Sequence, residues 1–175
     1  MSKSAIVKKN ISIDAIDMIV FDFDGVLTDN LVHIDKSGSE SVTCSRSDGL
    51  AFDVFRKLGK KVYILSTEKN SVVSARAKKI QVPAIQGSSN KVETLKGLSK
   101  ELQVGLDKVF YVGNDVNDYY AMQLCGYTAC PSDSHCKIKE ISDVILKTSG
   151  GKGVARELLE NVFNIDFIKI LYDNN

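Results

Sequence analysis

Met18-Ile19-Val20-Phe21-Asp22-Phe23-Asp24-Gly25 is a run of four apolar residues that ends on two acids, one residue apart, and a glycine. A short continuous apolar run bounded by polar residues suits a strand buried on both faces. Two more runs have this form: Lys61-Val62-Tyr63-Ile64-Leu65 leads into Ser66, and Val109-Phe110-Tyr111-Val112 leads into Gly113. Weaker runs are Val82-Pro83-Ala84-Ile85, Tyr127-Thr128-Ala129 and Asp143-Val144-Ile145-Leu146. Helical patterns alternate with them. Ser47-Asp48 is expected to cap a helix carrying Leu50, Val54, Phe55 and Leu58, stopped by Gly59. Further helices are expected over residues 70–80, 91–102, 117–125 and 153–163. Strand–helix alternation of this kind predicts an α/β fold: a Rossmann-like, three-layer α/β/α parallel sheet with right-handed crossovers.

One stretch breaks the alternation. Leu31-Val32-His33-Ile34 and Ser41-Val42-Thr43-Cys44 flank the turn-rich Asp35-Lys36-Ser37-Gly38-Ser39-Glu40. That pattern predicts a small β-hairpin flap at about 31–46, directly after the first strand. The C-terminal tail, about 164–175, is apolar at Ile165, Phe167, Ile168, Ile170 and Leu171. It reads either as a last core element or as a contact surface.

The composition narrows the class of protein. The 175 residues, 43% of them hydrophobic and 26% charged, are expected to form a single globular domain over 1–175. Lys and Arg (23) nearly balance Asp and Glu (22), which argues against nucleic acid as a partner. No apolar run approaches the roughly 18–20 residues of a membrane span, and no apolar segment precedes Ile11 as a secretory signal would require. Cys44, Cys125, Cys130 and Cys136 contain no CxxC pair, and His33 and His135 have no zinc-ligand spacing with them. Reduced thiols and a cytoplasmic location are therefore expected.

In an open parallel sheet, ligands bind beyond the carboxyl ends of the strands. Three runs finish there in polar residues: Asp22-Phe23-Asp24-Gly25, Ser66-Thr67-Glu68 and Gly113-Asn114-Asp115-Val116-Asn117-Asp118. Converging carboxylates repel, and burying them unpaired is costly. A divalent cation removes that cost, and oxygen ligands without His or Cys point to Mg²⁺.

Asp22-Phe23-Asp24-Gly25-Val26-Leu27-Thr28-Asp29 resembles the first motif of the haloacid dehalogenase (HAD) phosphatases. Ile64-Leu65-Ser66, Lys91 at a helix start, and Gly113 to Asp118 resemble the second, third and fourth motifs, in order. Arg46-Ser47-Asp48-Gly49, Gln86-Gly87-Ser88-Ser89-Asn90-Lys91 and Gly150-Gly151-Lys152-Gly153-Val154-Ala155-Arg156-Glu157 are similar to the sugar-acid phosphatases of that superfamily. They act on 3-deoxy-octulosonate 8-phosphate or on nine-carbon, sialic-type acid 9-phosphates. The resemblance implies a fold without a cap domain and a homotetramer whose subunits complete one another's sites. It implies that Asp22 is the nucleophile, Asp24 the general acid and base, and Ser66 and Lys91 the holders of phosphate oxygens. Mg²⁺ would be held by Asp22 and Asp24 with either Asn114 or Asp115, and Asp118 would support them. Relatives commonly have an acid where this chain has Asn114.

The substrate rests on fewer residues. Glu68, in place of the Arg typical of octulosonate phosphatases, together with Lys79, resembles the nine-carbon branch; an ordinary helix-surface pair is the alternative. Thr67 replaces the usual Gly. Arg46, Asp48 and Gly49 would line the pocket or simply begin a helix. Arg156 would bind a substrate carboxylate from a neighbouring subunit, or be a solvated helical arginine. Two other readings are a non-catalytic HAD-like assembly module and a phospho-acceptor receiver domain. The intact Asp22 and Asp24 oppose the first, and Ser66 rather than Asp after Leu65 opposes the second.

Overall fold

The computed structural model describes residues 5–173. In chain order the strands and helices are β1 (Ile6–Val7), β2 (Met18–Phe21), β3 (Thr28–Ile34), β4 (Glu40–Cys44), α1 (Ser47–Lys57), β5 (Lys61–Leu65), α2 (Val72–Ile80) and β6 (Ala84–Ile85). They continue with α3 (Lys91–Glu101), β7 (Val109–Val112), α4 (Tyr119–Leu124), β8 (Tyr127–Cys130), α5 (Cys136–Ile141), β9 (Val144–Ile145), α6 (Val154–Glu157) and α7 (Phe167–Tyr172). One seven-stranded sheet has the order β1-β9-β8-β7-β2-β5-β6, and β3 and β4 form a separate two-stranded flap. Every pairing in the large sheet is parallel except β1 on β9. No cap-sized insertion interrupts it.

The six apolar runs of the sequence are β2, β5, β6, β7, β8 and β9. The reason for their unbroken apolarity is visible in β2. Ile19 and Phe21 face a core shared with Phe52, Phe55, Val73, Leu158 and Phe167. Met18 and Val20 face the opposite core, with Leu95, Leu98, Met122 and Ile138. Helices therefore cover both faces, α1, α2, α6 and α7 on one side and α3, α4 and α5 on the other. On the first side the Phe21 and Phe52 rings meet edge-on, with centroids 5.4 Å apart.

The structure corrects several local expectations. The α1 start has no side-chain cap: Ser47 Oγ bonds Ser45 Oγ, and Asp48 is buried against α6 instead. Leu50 is exposed, and Ala51 and Phe52 join Val54 and Phe55 as the buried face. The helix expected from residue 70 begins at Val72, whose N–H is accepted by Asn70 Oδ1. The helix expected over 153–163 is a single α turn that widens into a π-helical turn over Leu158–Val162. The flap begins at Thr28, three residues early. The tail forms α7, which buries Phe167 in the core and leaves Ile168 and Tyr172 exposed. Among the described residues all four cysteines are free thiols, and no helix is long and apolar enough to cross a membrane.

Candidate active site

Register places the chemistry. Phe21 is level with Ile64 on one side and Val112 on the other. The next residues, Asp22, Leu65-Ser66 and Gly113-Asn114, therefore leave the sheet together at its carboxyl edge. They open onto a cavity of about 150 Å³ lined by Asp22, Asp24, Asn30, Thr67, Asn114, Asp115, Val116 and Asn117.

The floor of the cavity is a buried charge cluster. Lys91, 3% exposed, enters from the first residue of α3, whose N-terminus Asn90 caps by accepting from the Glu93 N–H. Its Nζ lies 2.8 Å from Asp22 Oδ1 and 2.7 Å from Asp118 Oδ1. Asp118 also accepts from Tyr111 OH at 2.9 Å and from the Asn114 N–H at 2.9 Å. Asp22 Oδ1 accepts in addition from the Phe23 N–H at 2.7 Å. Burial, then the Asp118 charge, push Asp22 well above the ordinary carboxylate range, while Lys91 pulls it down. Burial opposes the charge on Lys91, but Asp22 and Asp118 override it and raise its pKa. Burial, then Glu68, raise the half-buried Asp24.

Two carboxylates against one ammonium leave a negative charge uncompensated below Asp24, and the oxygens above it suit a cation. The Asn114 carboxamide points at this spot, its terminal atom 3.2 Å from Asp22 Oδ2 and 2.9 Å from the Asp24 main-chain oxygen. With Nδ2 there, the amide donates to both oxygens. With Oδ1 there, three oxygens converge at the roughly 3 Å spacing of adjacent ligands around Mg²⁺, which binds oxygen at about 2.1 Å. Gly25 makes room: a Cβ on it, already at φ +78°, would sit 2.7 Å from Asn114 Cγ. The donor set thus fits a hard divalent ion. It consists of one carboxylate, one carbonyl and one carboxamide, and among the described residues no three His, Cys, Asp or Glu side chains converge. Asn114, rather than Asp115, meets Asp22; the Asp115 carboxylate accepts from the Val116 N–H at 2.7 Å. Asp24 presents its main-chain oxygen at this spot, and its half-buried side chain lines the cavity.

The remaining expected residues fall in three places. Ser66 is fully buried beside the cluster, its Oγ accepting from the Glu68 N–H at 3.0 Å. Thr67 lines the cavity. Glu68 is near enough to Asp24 to raise it, and its Oε1 accepts from the N–H groups of Lys69 and Asn70 at 2.6 and 2.7 Å. Lys79 is not with it: Arg46, Gly49, Arg76 and Lys79 line a separate, cation-rich groove of about 620 Å³ between α1 and α2. Asp48 and Arg156 fasten α1 to α6. Asp48 Oδ1 accepts from the Arg156 N–H at 3.2 Å, and burial raises its pKa to about 6. The Arg156 guanidinium pairs with Glu160 and stacks 4.1 Å above the Phe167 ring.

Tyr111 and Asn30 were not singled out from the sequence, and Gly150-Gly151 entered only as part of a resembling stretch with no role assigned. Tyr111 reads there only as part of an apolar strand. Gly151 donates its N–H to the Val26 oxygen at 3.0 Å, and Cβ atoms on Gly150 and Gly151 would lie 2.2 Å from the Gly25 oxygen and 2.4 Å from the Asp29 nitrogen. The backbone of the glycine pair thus packs directly against the loop that follows Asp22. The Glu157 carboxylate anchors the glycine loop by accepting from the Lys147 and Thr148 N–H groups at 2.9 and 2.7 Å.

The sequence pattern of the haloacid dehalogenase-like hydrolases matches residues 53–158. The chain belongs to this family. It is 27% identical over 146 residues to the 3-deoxy-D-manno-octulosonate 8-phosphate phosphatase of Escherichia coli K12, covering 83% of this chain and 78% of that one. Among solved structures, one described only as a HAD family hydrolase from Streptomyces avermitilis superposes with TM-score 0.85 at 37% identity, covering 89% of each chain. The octulosonate 8-phosphate phosphatase of Moraxella catarrhalis, solved with magnesium, phosphate and the sugar acid, superposes with TM-score 0.82 at 28% identity, covering 86% of this chain and 87% of that one. The family member described here is accordingly a phosphoric monoester hydrolase.

Proposed function

We propose that this hydrolase removes phosphate from an acidic keto-sugar phosphate, with the nine-carbon 3-deoxy-nonulosonate 9-phosphates as its substrate class. The observation that carries the phosphatase reading is the Lys91 bridge between Asp22 and Asp118 beneath the Asn114 carboxamide and the two oxygens it meets, Asp22 Oδ2 and the Asp24 main-chain oxygen. Glu68 beside Asp24 supports the nine-carbon class, since a carboxylate accepts from sugar hydroxyls, where an arginine would favour an acid group. The eight-carbon octulosonate 8-phosphate is the second reading, favoured by the substrates named for the relatives.

The Asp22 carboxylate attacks phosphorus as the bond to the sugar oxygen breaks, giving an aspartyl-phosphate and the free alcohol. Asp24 gives its proton to the departing oxygen; burial and the Glu68 charge raise its pKa, the direction a general acid needs. Water then attacks the same phosphorus and Asp24 takes its proton back, which releases inorganic phosphate and restores Asp22. Lys91 and Ser66 hold phosphate oxygens, and Asp118 with Tyr111 fixes Lys91. Mg²⁺, held by Asp22, the Asp24 carbonyl and Asn114, would offset the charge on the transferring phosphoryl group. The α1–α2 groove, with Arg46, Gly49 and Lys79, completes the carboxylate-binding side of the site on an adjacent copy within a homotetramer.

The test is phosphate release from eight- and nine-carbon sugar-acid phosphates with Mg²⁺, alongside Asp22→Asn. We expect turnover that favours the nine-carbon acid and is lost in the variant. No turnover of either, or full activity without the Asp22 carboxylate, refutes the reading.

A further inference from the structure

We propose that Asn30 is a specificity-determining residue whose carboxamide binds a hydroxyl of the leaving group beside the scissile oxygen. The assignment rests on the phosphatase reading above.

Asn30 lies in β3 with φ +63°, in the left-handed region that Asn tolerates better than most non-glycine residues. The ladder shows what that angle does. Thr28 pairs with Cys44 and Val32 with Val42, so four steps along β3 match two along β4. The extra residues bulge out of the flap, and bulges of this kind re-aim side chains next to active sites. Here the bulge turns Asn30 into the cavity of Asp22, Asp24 and Thr67. Its Cγ lies 3.2 Å from where a Cβ on Gly25 would be, so Asn30 and Asn114 flank the same glycine.

The bulge is supported from beneath. The buried Thr28 hydroxyl accepts from the N–H groups of Gly25 and Asn30 at 3.1 and 3.2 Å. Asp29 Oδ1 accepts from the Leu31 N–H at 3.3 Å. The Asn30 carboxamide itself makes no hydrogen bond among the described residues. Asn30 is solvent-exposed at the cavity wall, so its carboxamide is open to a group that enters there.

The chemistry of the wall indicates what arrives. Lys91 and Ser66 lie on the side assigned to the phosphate, whereas Asn30 stands with Asp24, toward which the alcohol departs. A carboxamide is uncharged and offers both a donor and an acceptor, which matches a hydroxyl better than a phosphate oxygen. Recognition of a polyhydroxylated carbon chain follows.

Asn30→Gly is the decisive variant, because glycine adopts the left-handed conformation freely and removes only the amide. We expect kcat/KM for the sugar-acid phosphate to fall about three- to tenfold, mainly through KM, the usual worth of one hydrogen bond. Turnover of p-nitrophenyl phosphate, which has no hydroxyl, should stay within about twofold. Calorimetric affinity for the sugar-acid product should fall by a similar factor, with vanadate affinity unchanged. Asn30→Ala should melt earlier, from backbone strain, yet lose the same discrimination between the two substrates. An unchanged ratio of the two substrates in both variants, or equal losses on both, overturns the assignment. Turnover of p-nitrophenyl phosphate by the unaltered enzyme tests the phosphatase reading separately.

Discussion

Replacing Lys91 by methionine tests the arrangement at its centre. Methionine is one atom shorter, keeps an unbranched apolar stem and removes the charge. Asp22 and Asp118 would then face each other with the Phe23, Tyr111, Asn114 and Asp115 donors but no cation, inside a site where Lys91 is 3% exposed. Removing one partner of a buried ion pair costs about 3–5 kcal/mol, because the remaining charge stays desolvated. Lys91 serves two carboxylates, at 2.8 and 2.7 Å, so the upper end of that range applies. At about 2–4 °C per kcal/mol for a chain of this size, the melting temperature should drop by roughly 10–20 °C. Urea unfolding at pH 8 with chelator measures the loss directly. Mg²⁺ should return more stability to the variant than to the unaltered protein, since it binds where the charge is now uncompensated. A variant as stable as the original at pH 8 without Mg²⁺ would refute the reasoning.

Three further outcomes are expected. Asp48→Asn should remove a pH dependence. Burial raises Asp48 to about 6, above its value in the unfolded chain, so its contribution is complete below about pH 4 and is lost as pH rises through 6. That loss is on the order of 3 kcal/mol, which urea midpoints between pH 4 and 8 should show in the original and not in the variant. Gly151→Ala places a Cβ 2.4 Å from the Asp29 nitrogen at a φ of +68°, so calorimetry should find it about 2–4 kcal/mol less stable. Its kcat should fall as the nucleophile loop shifts. Asn114→Asp adds charge to the oxygen trio, and titration calorimetry should find Mg²⁺ binding about tenfold tighter.

The long features of the fold were legible because each follows from one local rule. The apolar runs of β2, β5 and β7 suit strands covered on both faces, and in a parallel sheet the polar residues after them gather at one edge. What stayed hidden depends on contacts between distant residues. Ile6 and Val7 form a strand only because Ile145 and Val144 offer them a ladder. Asp48 resembles a cap for its own helix but accepts from Arg156, 108 residues away. Tyr111 hides its hydroxyl among apolar neighbours until Asp118 is placed beside it. Residue type did not choose between Asn114 and Asp115; it is the Asn114 side chain that meets Asp22 Oδ2 and the main-chain oxygen of Asp24, a partner no side-chain pattern reveals.

The position of β2 bears on how the chain is made. It is central, yet its two partners lie later in the chain, and Val112 follows Phe21 by 91 residues. At about 5–20 residues per second, a ribosome needs roughly 5–20 s to cover that interval. Throughout that time the strand has at least one open edge, and the two acids after it lack both ammonium and cation. The segment that carries the nucleophile is therefore the aggregation-prone stretch of the nascent polypeptide, and a chaperone that shields it until β7 emerges would raise the yield of native enzyme.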